Sequence, residues 1–268
     1  ISKVDLRRAL DLKGVIGGIT GADVLERTRP FSVVATSPMQ YHCMATDKVR
    51  FVGEPVAAIV ARDRYLAEDA LDLIDVEYET LPAIVDPEKA VESDAPILHE
   101  EVPNNIACHR LLSYGDVDAA FDQADFVLRE RLVFPRYTSM PLETFAIISS
   151  YDHFGGGLTL WSNFMGPFIM HPITARALKI AENNLRFIVP PDIGGSFGIK
   201  TSIYPYLTLL GLLSMQVDVP VKWIEDRREH LLASSVQTDR VSYREVAVTK
   251  TGVVLGFRTK LYDNVGAY

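Results

Sequence analysis

The sequence predicts an α+β protein in two parts, and three observations support this. Residues 48–78 alternate strand and helix patterns, as in a small α/β module. Residues 82–105 are rich in proline and acidic side chains and lack a sustained period, which is typical of a linker. Beyond them, strand pairs and apolar helices indicate a mixed α+β part. The predicted domains are therefore residues 1–100 and residues 101–268.

The first part is expected to contain short alternating elements. Residues 15–19 resemble a strand, and a short helix is predicted to start at Gly21. Residues 28–45 have little periodicity and are predicted as a loop. Residues 56–60 are continuously apolar, which predicts a strand buried on both faces. Asp63 is a good N-cap for a helix that carries one apolar stripe, and a strand is predicted at 76–78.

The second part combines paired strands with apolar helices. Asp116 predicts the N-cap of a short helix, and Pro172 predicts the start of another, because proline is tolerated at the first helical position. The triple glycine at 155–157 lies between two strand patterns and is predicted to be a turn. The remaining predicted elements are strands at 126–134, 143–151, 158–162, 185–189, 219–224, 241–249 and 253–262, a buried helix at 204–215 and a helical turn at 229–233.

Composition and charge exclude several classes of function. The net charge of −8 argues against binding to nucleic acid, which requires a clustered cationic surface. The longest apolar run, residues 207–215, is far shorter than the roughly 20 residues of a membrane span. Cys43 and Cys108 are too far apart to form a metal or iron–sulfur site, and both are predicted to be small apolar fillers. No secretory pattern is present, so a cytoplasmic location is expected.

The two ends of the sequence suggest that it is part of a longer polypeptide. It begins at Ile1 rather than at methionine, and it stops at Tyr268 inside a strand pattern. We therefore expect a fragment or one piece of a divided protein.

Residues 184–200, with the sequence NLRFIVPPDIGGSFGIK, are the stretch most suggestive of function. They read as a strand, a Pro-Pro break, a glycine-rich turn and the start of a helix. Glycines let backbone N–H groups approach a ligand, and a helix N-terminus favours negative charge. An anionic cofactor is therefore expected here.

Two nucleotide motifs compete for this loop, and both fit poorly. A phosphate-binding P-loop requires glycine directly before the lysine, whereas Ile199 precedes Lys200. Gly194, Gly195 and Gly198 also have the wrong spacing for a dinucleotide-binding fingerprint. A P-loop-like nucleotide binder is therefore only the third hypothesis for the function.

Several ordered motifs together resemble the molybdenum hydroxylases, namely the large molybdopterin-binding subunit of xanthine dehydrogenase, aldehyde oxidase and carbon monoxide dehydrogenase. The resemblance covers nearly the whole chain. It implies an α/β-hammerhead domain, incomplete at its N-terminus, followed by the first part of a mixed α+β molybdopterin-binding domain. The motifs that carry it are DKVRFVGEPVAAIVA, RYLAEDALDLIDVEYETLPAIVDPEKA, GDVDAAFDQAD, PLE, LTLWS, PDIGGSFGIK, VPVKWIEDRREHLLAS and DNVGAY.

The resemblance assigns roles to particular residues. The family's GGGFG loop, which lies beside the molybdenum and its pterin, is matched here by Gly194, Gly195, Ser196, Phe197 and Gly198. Met165 stands where many members have a glutamine that hydrogen-bonds a molybdenum ligand, and methionine cannot donate that bond. Thr201 replaces a substrate-binding glutamate of purine-oxidising members, which favours an aldehyde or another N-heterocycle.

Other residues have two open interpretations each. Glu143 is either a pocket residue or a structural hydrogen-bond acceptor for backbone, and the second is favoured. Phe164, Phe168 and Phe197 either line a substrate tunnel or pack in the core. The charged run at 225–229 is predicted to be a solvated face.

The resemblance also implies what lies outside this sequence. The catalytic base, a glutamate, is expected beyond Tyr268, together with the remaining C-terminal molybdopterin-binding part. Molybdopterin, with or without a dinucleotide extension, is the expected cofactor, and this chain supplies no direct metal ligand. The expected partners are an iron–sulfur subunit with [2Fe–2S] clusters, an FAD subunit and a small-molecule substrate, in a higher oligomer. The main alternative is a noncatalytic structural or assembly homologue, which Met165 favours.

Overall fold

The computed structural model describes residues 1–32, 38–237 and 239–268. Helices and strands are interspersed along these residues, which confirms the predicted α+β class. The strands are β1 (Lys3–Asp5), β2 (Val15–Thr20), β3 (Phe31–Ser32), β4 (Gln40–Tyr41), β5 (Ala57–Ala61), β6 (Asp75–Glu77), β7 (Phe126–Phe134), β8 (Tyr137–Thr138), β9 (Ala146–Asp152), β10 (Gly157–Ser162), β11 (Leu185–Ile188), β12 (Val221–Ile224), β13 (Val236–Gln237), β14 (Arg240–Val248) and β15 (Val254–Asp263).

The helices are mostly short. The α-helices are α1 (Arg7–Leu10), α2 (Gly21–Arg27), α3 (Arg64–Leu71), α4 (Val117–Asp122), α5 (Pro167–Ala177), α6 (Tyr204–Val217) and α7 (Arg227–Ala233). Three 3₁₀ turns among the described residues are Lys89–Val91, Glu182–Asn184 and Ile199–Thr201. None of the helices described here combines the length and apolarity needed to cross a bilayer.

The chain divides into two compact units. The first is formed by the described residues within 1–33, 40–81 and 138–235. The second is formed by those within 34–39, 82–137 and 236–268.

A four-stranded sheet in the order β11-β10-β9-β12 is the centre of the first unit. β10 runs parallel to β11, whereas β9 is antiparallel to both of its neighbours. The predicted turn between β9 and β10 is confirmed, with Gly157 paired to Asp152. Helix α6 packs on β9, and α5 packs on α6. This sheet positions the loops that follow β10 and β11 next to each other.

Helix α6 is buried on all sides, as its composition predicted. Every residue from 207 to 214 is buried, including five leucines. Burial of each leucine stabilises the fold by about 1.5–3 kcal/mol. The core around it is made of buried apolar side chains, among them Ile19, Val24, Phe31, Met44, Val60, Phe145, Ile147, Leu158, Leu160, Met170, Leu185 and Val221.

The segments before the linker form narrow antiparallel ribbons. The pairs are β1 with β6, β2 with β5, and β3 with β4. The strands on either side of α3 therefore do not pair with each other, although the predicted order of strand, helix and strand is correct. The prediction that residues 56–60 are buried on both faces is wrong, because β5 lies in a two-stranded ribbon and within it only Val60 is buried. The predicted loop at 28–45 contains β3 and β4, and its residues 33–37 lie outside the described part.

Local capping signals were reliable, with one exception. The Asp63 side chain accepts a hydrogen bond from Leu66 N at 2.9 Å, and that of Asp116 accepts one from Ala119 N at 3.0 Å. The predicted helix start at Pro172 is wrong, because α5 begins at Pro167. Both prolines satisfy the rule for the first helical position, and Pro172 is tolerated inside the helix although it lacks an N–H.

The second unit is built on an antiparallel sheet of β15, β14 and β7. The predicted hairpin between β14 and β15 is confirmed. Helix α4 packs on β15, where the Arg258 guanidinium lies 4.0 Å from the centre of the Phe121 ring. Residues 82–105 contain a single 3₁₀ turn, and the Asn105 side chain bonds to the main chain at three positions: Ala90 O, Pro96 O and Leu98 N.

The two cysteines differ from each other. Cys43 is buried, as predicted for an apolar filler, and burial raises the pKa of its thiol to about 12. The same prediction is wrong for Cys108, which is exposed. It lies at the start of residues 108–116, all of which are exposed.

Candidate functional site

A cavity of about 430 Å³ lies within the first unit. One wall is the glycine loop, which we define as residues 190–198, and the other is the segment 163–166 that follows β10. The lining residues are Asn163, Phe164, Met165, Gly166, Ile193, Gly195, Ser196 and Lys200.

The glycine loop connects β11 to α6 through two tight turns. Gly195 N donates to Ile193 O at 2.9 Å, and Ile199 N donates to Ser196 O at 3.2 Å. The predicted helix start after the loop is a 3₁₀ turn at Ile199–Thr201, and the α-helix begins only at Tyr204. The loop contributes Ile193, Gly195 and Ser196 to one wall of the cavity, and the last two have little or no side chain.

Gly194 is held against Glu143 by two reciprocal hydrogen bonds. Gly194 N donates to Glu143 Oε2 at 2.9 Å, and Glu143 N donates to Gly194 O at 3.2 Å. A Cβ atom on residue 194 would lie 2.6 Å from Glu143 Cβ. The close approach of the two backbones therefore requires glycine at this position.

The second half of the loop has left-handed backbone conformations. Gly198 has φ = +96° and Phe197 has φ = +52°. The first value suits glycine, while the second is uncommon for an aromatic residue. The Thr201 hydroxyl donates back to Gly198 O at 2.6 Å and closes this half of the loop.

Lys200 is fully buried and forms an ion pair with Glu143. Its Nζ atom lies 2.5 Å from Glu143 Oε2, the same oxygen that accepts from Gly194 N. Burial alone would raise the pKa of Glu143, but hydrogen bonds from Lys200, Asn163 and the Gly194 amide outweigh burial and lower it. Glu143 is therefore an ionised anchor for the loop.

The opposite wall is fixed to the sheet and to the glycine loop. The Asn163 side chain accepts from Ala146 N at 3.0 Å and donates to Thr144 O at 2.7 Å. Met165 N donates to Lys200 O at 3.2 Å, which ties the two walls together. Phe164 is buried, with its ring centre 4.8 Å from that of Phe187.

The structure brings together some of the residues that were singled out from the sequence. Gly195, Ser196, Met165 and Phe164 line the cavity. Other predicted site residues have contacts within the loop or behind it: Gly194 with Glu143, and Gly198 with Thr201. Of the three phenylalanines, Phe164 packs in the core, whereas Phe168 and Phe197 are 92% and 68% exposed.

Sequence reasoning missed the role of Lys200, which was considered only as a phosphate ligand of a P-loop. It also missed Glu225, because the run 225–229 was predicted to be solvated. That prediction is wrong at Glu225, which is 2% exposed and accepts from Phe145 N at 3.1 Å. A signal for this was present in the sequence. Asp226 and Glu229 form the capping box that starts α7, so residue 225 lies between β12 and α7 and not in an exposed charged run.

The site can bind a group but contains little that could react by itself. In the described part of the chain, no three histidine, cysteine or acidic side chains are grouped closely enough to hold a metal ion. The polar side chains that line the cavity are the hydroxyl of Ser196, the amide of Asn163 and the ammonium group of Lys200, which is already paired with Glu143. This arrangement is suited to holding a bulky organic cofactor.

Comparison with known families agrees with this geometry. The family described as "Molybdopterin cofactor-binding domain" matches residues 98–268. The family described as "Aldehyde oxidase and xanthine dehydrogenase, a/b hammerhead domain" matches residues 1–82. Together they confirm the predicted hammerhead domain followed by part of a cofactor-binding domain.

Individual relatives match along the full chain. It is 34% identical to the carbon monoxide dehydrogenase large chain of Afipia carboxidovorans, over 100% of this chain and 34% of that protein. It is 33% identical to the nicotine 6-hydroxylase large subunit of Paenarthrobacter nicotinovorans, over 100% of this chain and 33% of that protein. The chain thus spans about a third of the length of these relatives.

A solved structure has the same fold. Quinoline 2-oxidoreductase from Pseudomonas putida 86 superposes with a TM-score of 0.90 at 30% identity, over 97% of this chain and 34% of that one. This chain therefore belongs to the family of molybdenum hydroxylase large subunits, with an α/β-hammerhead domain followed by part of the molybdopterin cofactor-binding domain.

Proposed function

We propose that this chain forms one wall of a molybdopterin site in an oxidoreductase that hydroxylates an aldehyde or an N-heterocycle, with water as the oxygen source. The observation that carries the proposal is the glycine loop, which borders a cavity through Ile193, Gly195 and Ser196 in a chain of this family. A wall poor in side-chain bulk suits a pterin with its phosphate, because the cofactor can then approach the main chain closely.

The residues present fit this cofactor. The cavity is large enough for a heterocycle, and the packing of Gly194 on Glu143 keeps the loop clear of side-chain bulk. Gly195 and Ser196 would hold the cofactor from the loop, and Met165 and Gly166 would hold it from the opposite wall. When bound, the molybdenum centre supplies the two-electron oxidation that accompanies hydroxylation.

The chain's own residues orient and enclose the cofactor. Gly198 and Phe197, with their left-handed conformations, set the path of the second half of the loop. The ion pair of Lys200 with Glu143 fixes the first half. Because Lys200 is buried and paired there, its ammonium group has no need of a phosphate, which argues against a P-loop nucleotide binder.

A substrate class follows from Thr201 and from the relatives. A neutral threonine cannot replace the glutamate that binds purines, so a xanthine-like substrate is disfavoured. Nicotine 6-hydroxylase and quinoline 2-oxidoreductase act, by their names, on N-heterocycles. The substrate pocket would use Thr201 and Phe164 from this chain, with Glu143 as the anchor of the neighbouring loop, and the catalytic glutamate would come from sequence beyond residue 268.

Further parts of the enzyme are proposed on the same basis. Relatives named as a large chain and a large subunit support smaller partner subunits, which would carry the [2Fe–2S] clusters and FAD in a cytoplasmic higher oligomer. We place the boundary between the two domains near residue 100. The family matches end at 82 and begin at 98, so this boundary stays a prediction.

A noncatalytic homologue is the second candidate, favoured by Met165. This side chain lines the cavity, and its thioether cannot donate the hydrogen bond that a glutamine there provides. A homologue that only keeps the fold would bind no cofactor and oxidise nothing.

An isotope experiment tests the proposed reaction. Purified full-length protein with its partners is incubated with aldehydes and N-heterocycles in ¹⁸O-labelled water under air, with a redox dye that accepts the two electrons released by hydroxylation. We expect one of the two classes to be converted, with the label in the product. A cofactor-loaded protein that converts neither class, or that takes its oxygen from air, would contradict the proposal.

Calorimetric titration with ATP tests the P-loop hypothesis. We expect no binding heat, and a clear binding heat would support a nucleotide-binding function instead.

A further inference from the structure

A buried carboxylate–imidazole pair lies in the first unit, outside the residues that line the cavity. Glu225 is 2% exposed and His230 is 0% exposed. His230 Nδ1 lies 2.8 Å from Glu225 Oε2, and His230 Nε2 lies 3.2 Å from Ser139 O. Both nitrogens of the ring are therefore engaged.

The partners of the ring define where its hydrogens lie. A main-chain carbonyl has no hydrogen to give, so His230 Nε2 must donate to Ser139 O. A second hydrogen lies between Nδ1 and Glu225 Oε2, which are 2.8 Å apart. Glu225 Oε2 also accepts from Phe145 N at 3.1 Å, which anchors the pair to the residue that precedes β9. A buried pair with such partners holds one ring orientation.

Ser139 connects this pair to the glycine loop. Its carbonyl accepts from His230, while its hydroxyl donates to Phe197 O at 3.2 Å. Phe197 has the unfavourable left-handed φ of +52°, and Gly198 follows with φ = +96°. Such conformations persist when the surroundings hold them in place.

We infer that His230 is a positioning residue for the cofactor loop. Together with Glu225 it fixes the main chain of Ser139, and the Ser139 hydroxyl then fixes the carbonyl of Phe197. A chain of hydrogen bonds thereby runs from His230 in α7 through Ser139 to the second half of the glycine loop. The inference rests on the proposed function, because the loop is taken to hold the molybdopterin.

Variants at Ser139 and His230 test this chain in the full-length protein assembled with its partners. Ser139→Ala removes the hydrogen bond to Phe197, and Ser139→Thr keeps a hydroxyl. We expect Ser139→Ala and His230→Gln to retain molybdenum and pterin about 10-fold less well on dialysis, as is typical when an outer hydrogen-bond partner is removed. Ser139→Thr is expected to restore retention. His153→Gln, which removes an exposed pairing with Asp218, is the matched control and should behave as wild type.

A double variant separates positioning from general stability. If His230 acts through Ser139, His230→Gln in the Ser139→Ala background should lower the thermal midpoint further without a further loss of retention. The metal's electron paramagnetic resonance spectrum should shift in the same way in both single variants. Losses of retention that multiply in the double variant, or full retention in Ser139→Ala, would overturn the inference.

Hydrogen exchange keeps this test separate from that of the proposed function. His230→Gln should speed up amide exchange in residues 195–199 whether or not the protein carries molybdenum. If the wild-type protein contains no molybdenum but His230→Gln still speeds up exchange in this loop, the result counts against the proposed function alone. Unchanged exchange in molybdenum-loaded protein would count against the positioning role alone.

Discussion

Glu143 shows how one side chain can define a loop that is distant in the sequence. Its carboxylate accepts from Gly194 N and from Lys200 Nζ, and its main-chain N–H donates to Gly194 O. The preference for a structural role over a pocket role at Glu143 was made from the sequence, and these contacts support it. Lys200 could not be predicted as its partner, because 57 positions separate the two residues and no local pattern links them.

Gly198→Val tests the need for a left-handed residue in the loop. Valine is strained at φ = +96°, so the loop should change its path and lose molybdenum and pterin, while the fold loses only about 1–3 kcal/mol. Metal and pterin analysis of the full-length variant measures this. Gly156→Val is the matched control, since Gly156 has φ = +70° in the hairpin between β9 and β10. Molybdenum retained by both variants would mean that residues 190–198 are merely a turn.

Acidification tests the ion pair of Glu143 with Lys200. The folded state lowers the pKa of Glu143 below its ordinary value of 4.5, so its contribution to stability is present above pH 4.5 and is lost as the pH falls through the lowered pKa. Glu143→Gln should therefore destabilise the protein near neutrality, with the difference from wild type shrinking below pH 4.5. Thermal unfolding over a pH series measures this, with Glu182→Gln as an exposed control. If the stability difference between wild type and Glu143→Gln grows on acidification, the ionised form of Glu143 does not stabilise the fold.

Helices and strands were predicted correctly where only one interpretation fitted the local sequence pattern. Helix α6 was predicted because apolar residues on every side of a helix require burial. The hairpin of β14 and β15 followed from two strand patterns around a glycine turn. The start of α5 failed because Pro167 and Pro172 satisfy the same rule. The strand pairing expected of an α/β module at residues 48–78 was wrong. Strand pairing is a tertiary property, and these residues alone do not determine it.

Leu207→Ala tests the packing of α6 as the central element of the first unit. Leu207 is fully buried, so truncation should destabilise the surrounding structure by about 2–5 kcal/mol. Hydrogen exchange in α6 and β9, followed by mass spectrometry, measures the local loss. Leu25→Ala, at a position 60% exposed in α2, is the matched control and should leave this exchange unchanged. Equal effects of the two substitutions would mean that α6 is not the packing centre.

At the scale of the molecule, the ordered motifs predicted the family because they extend along nearly the whole chain. Matches to both family descriptions and to relatives over 100% of this chain confirm that prediction. The contents of the cavity wall were only partly predictable. Gly195, Ser196 and Met165 were identified by motif, whereas Asn163 and Lys200 became evident only from their contacts.

If the glycine loop holds a molybdopterin, the purified protein should contain the cofactor, and this can be measured directly. Molybdenum is measured by mass spectrometry and pterin by fluorescence after oxidative release, both on the purified full-length protein with its partners. We predict equimolar molybdenum and pterin, and their joint loss in Gly198→Val but not in Gly156→Val. Protein that contains neither metal nor pterin, while hydrogen exchange shows a fully folded loop at residues 190–198, would mean that the loop does not hold this cofactor.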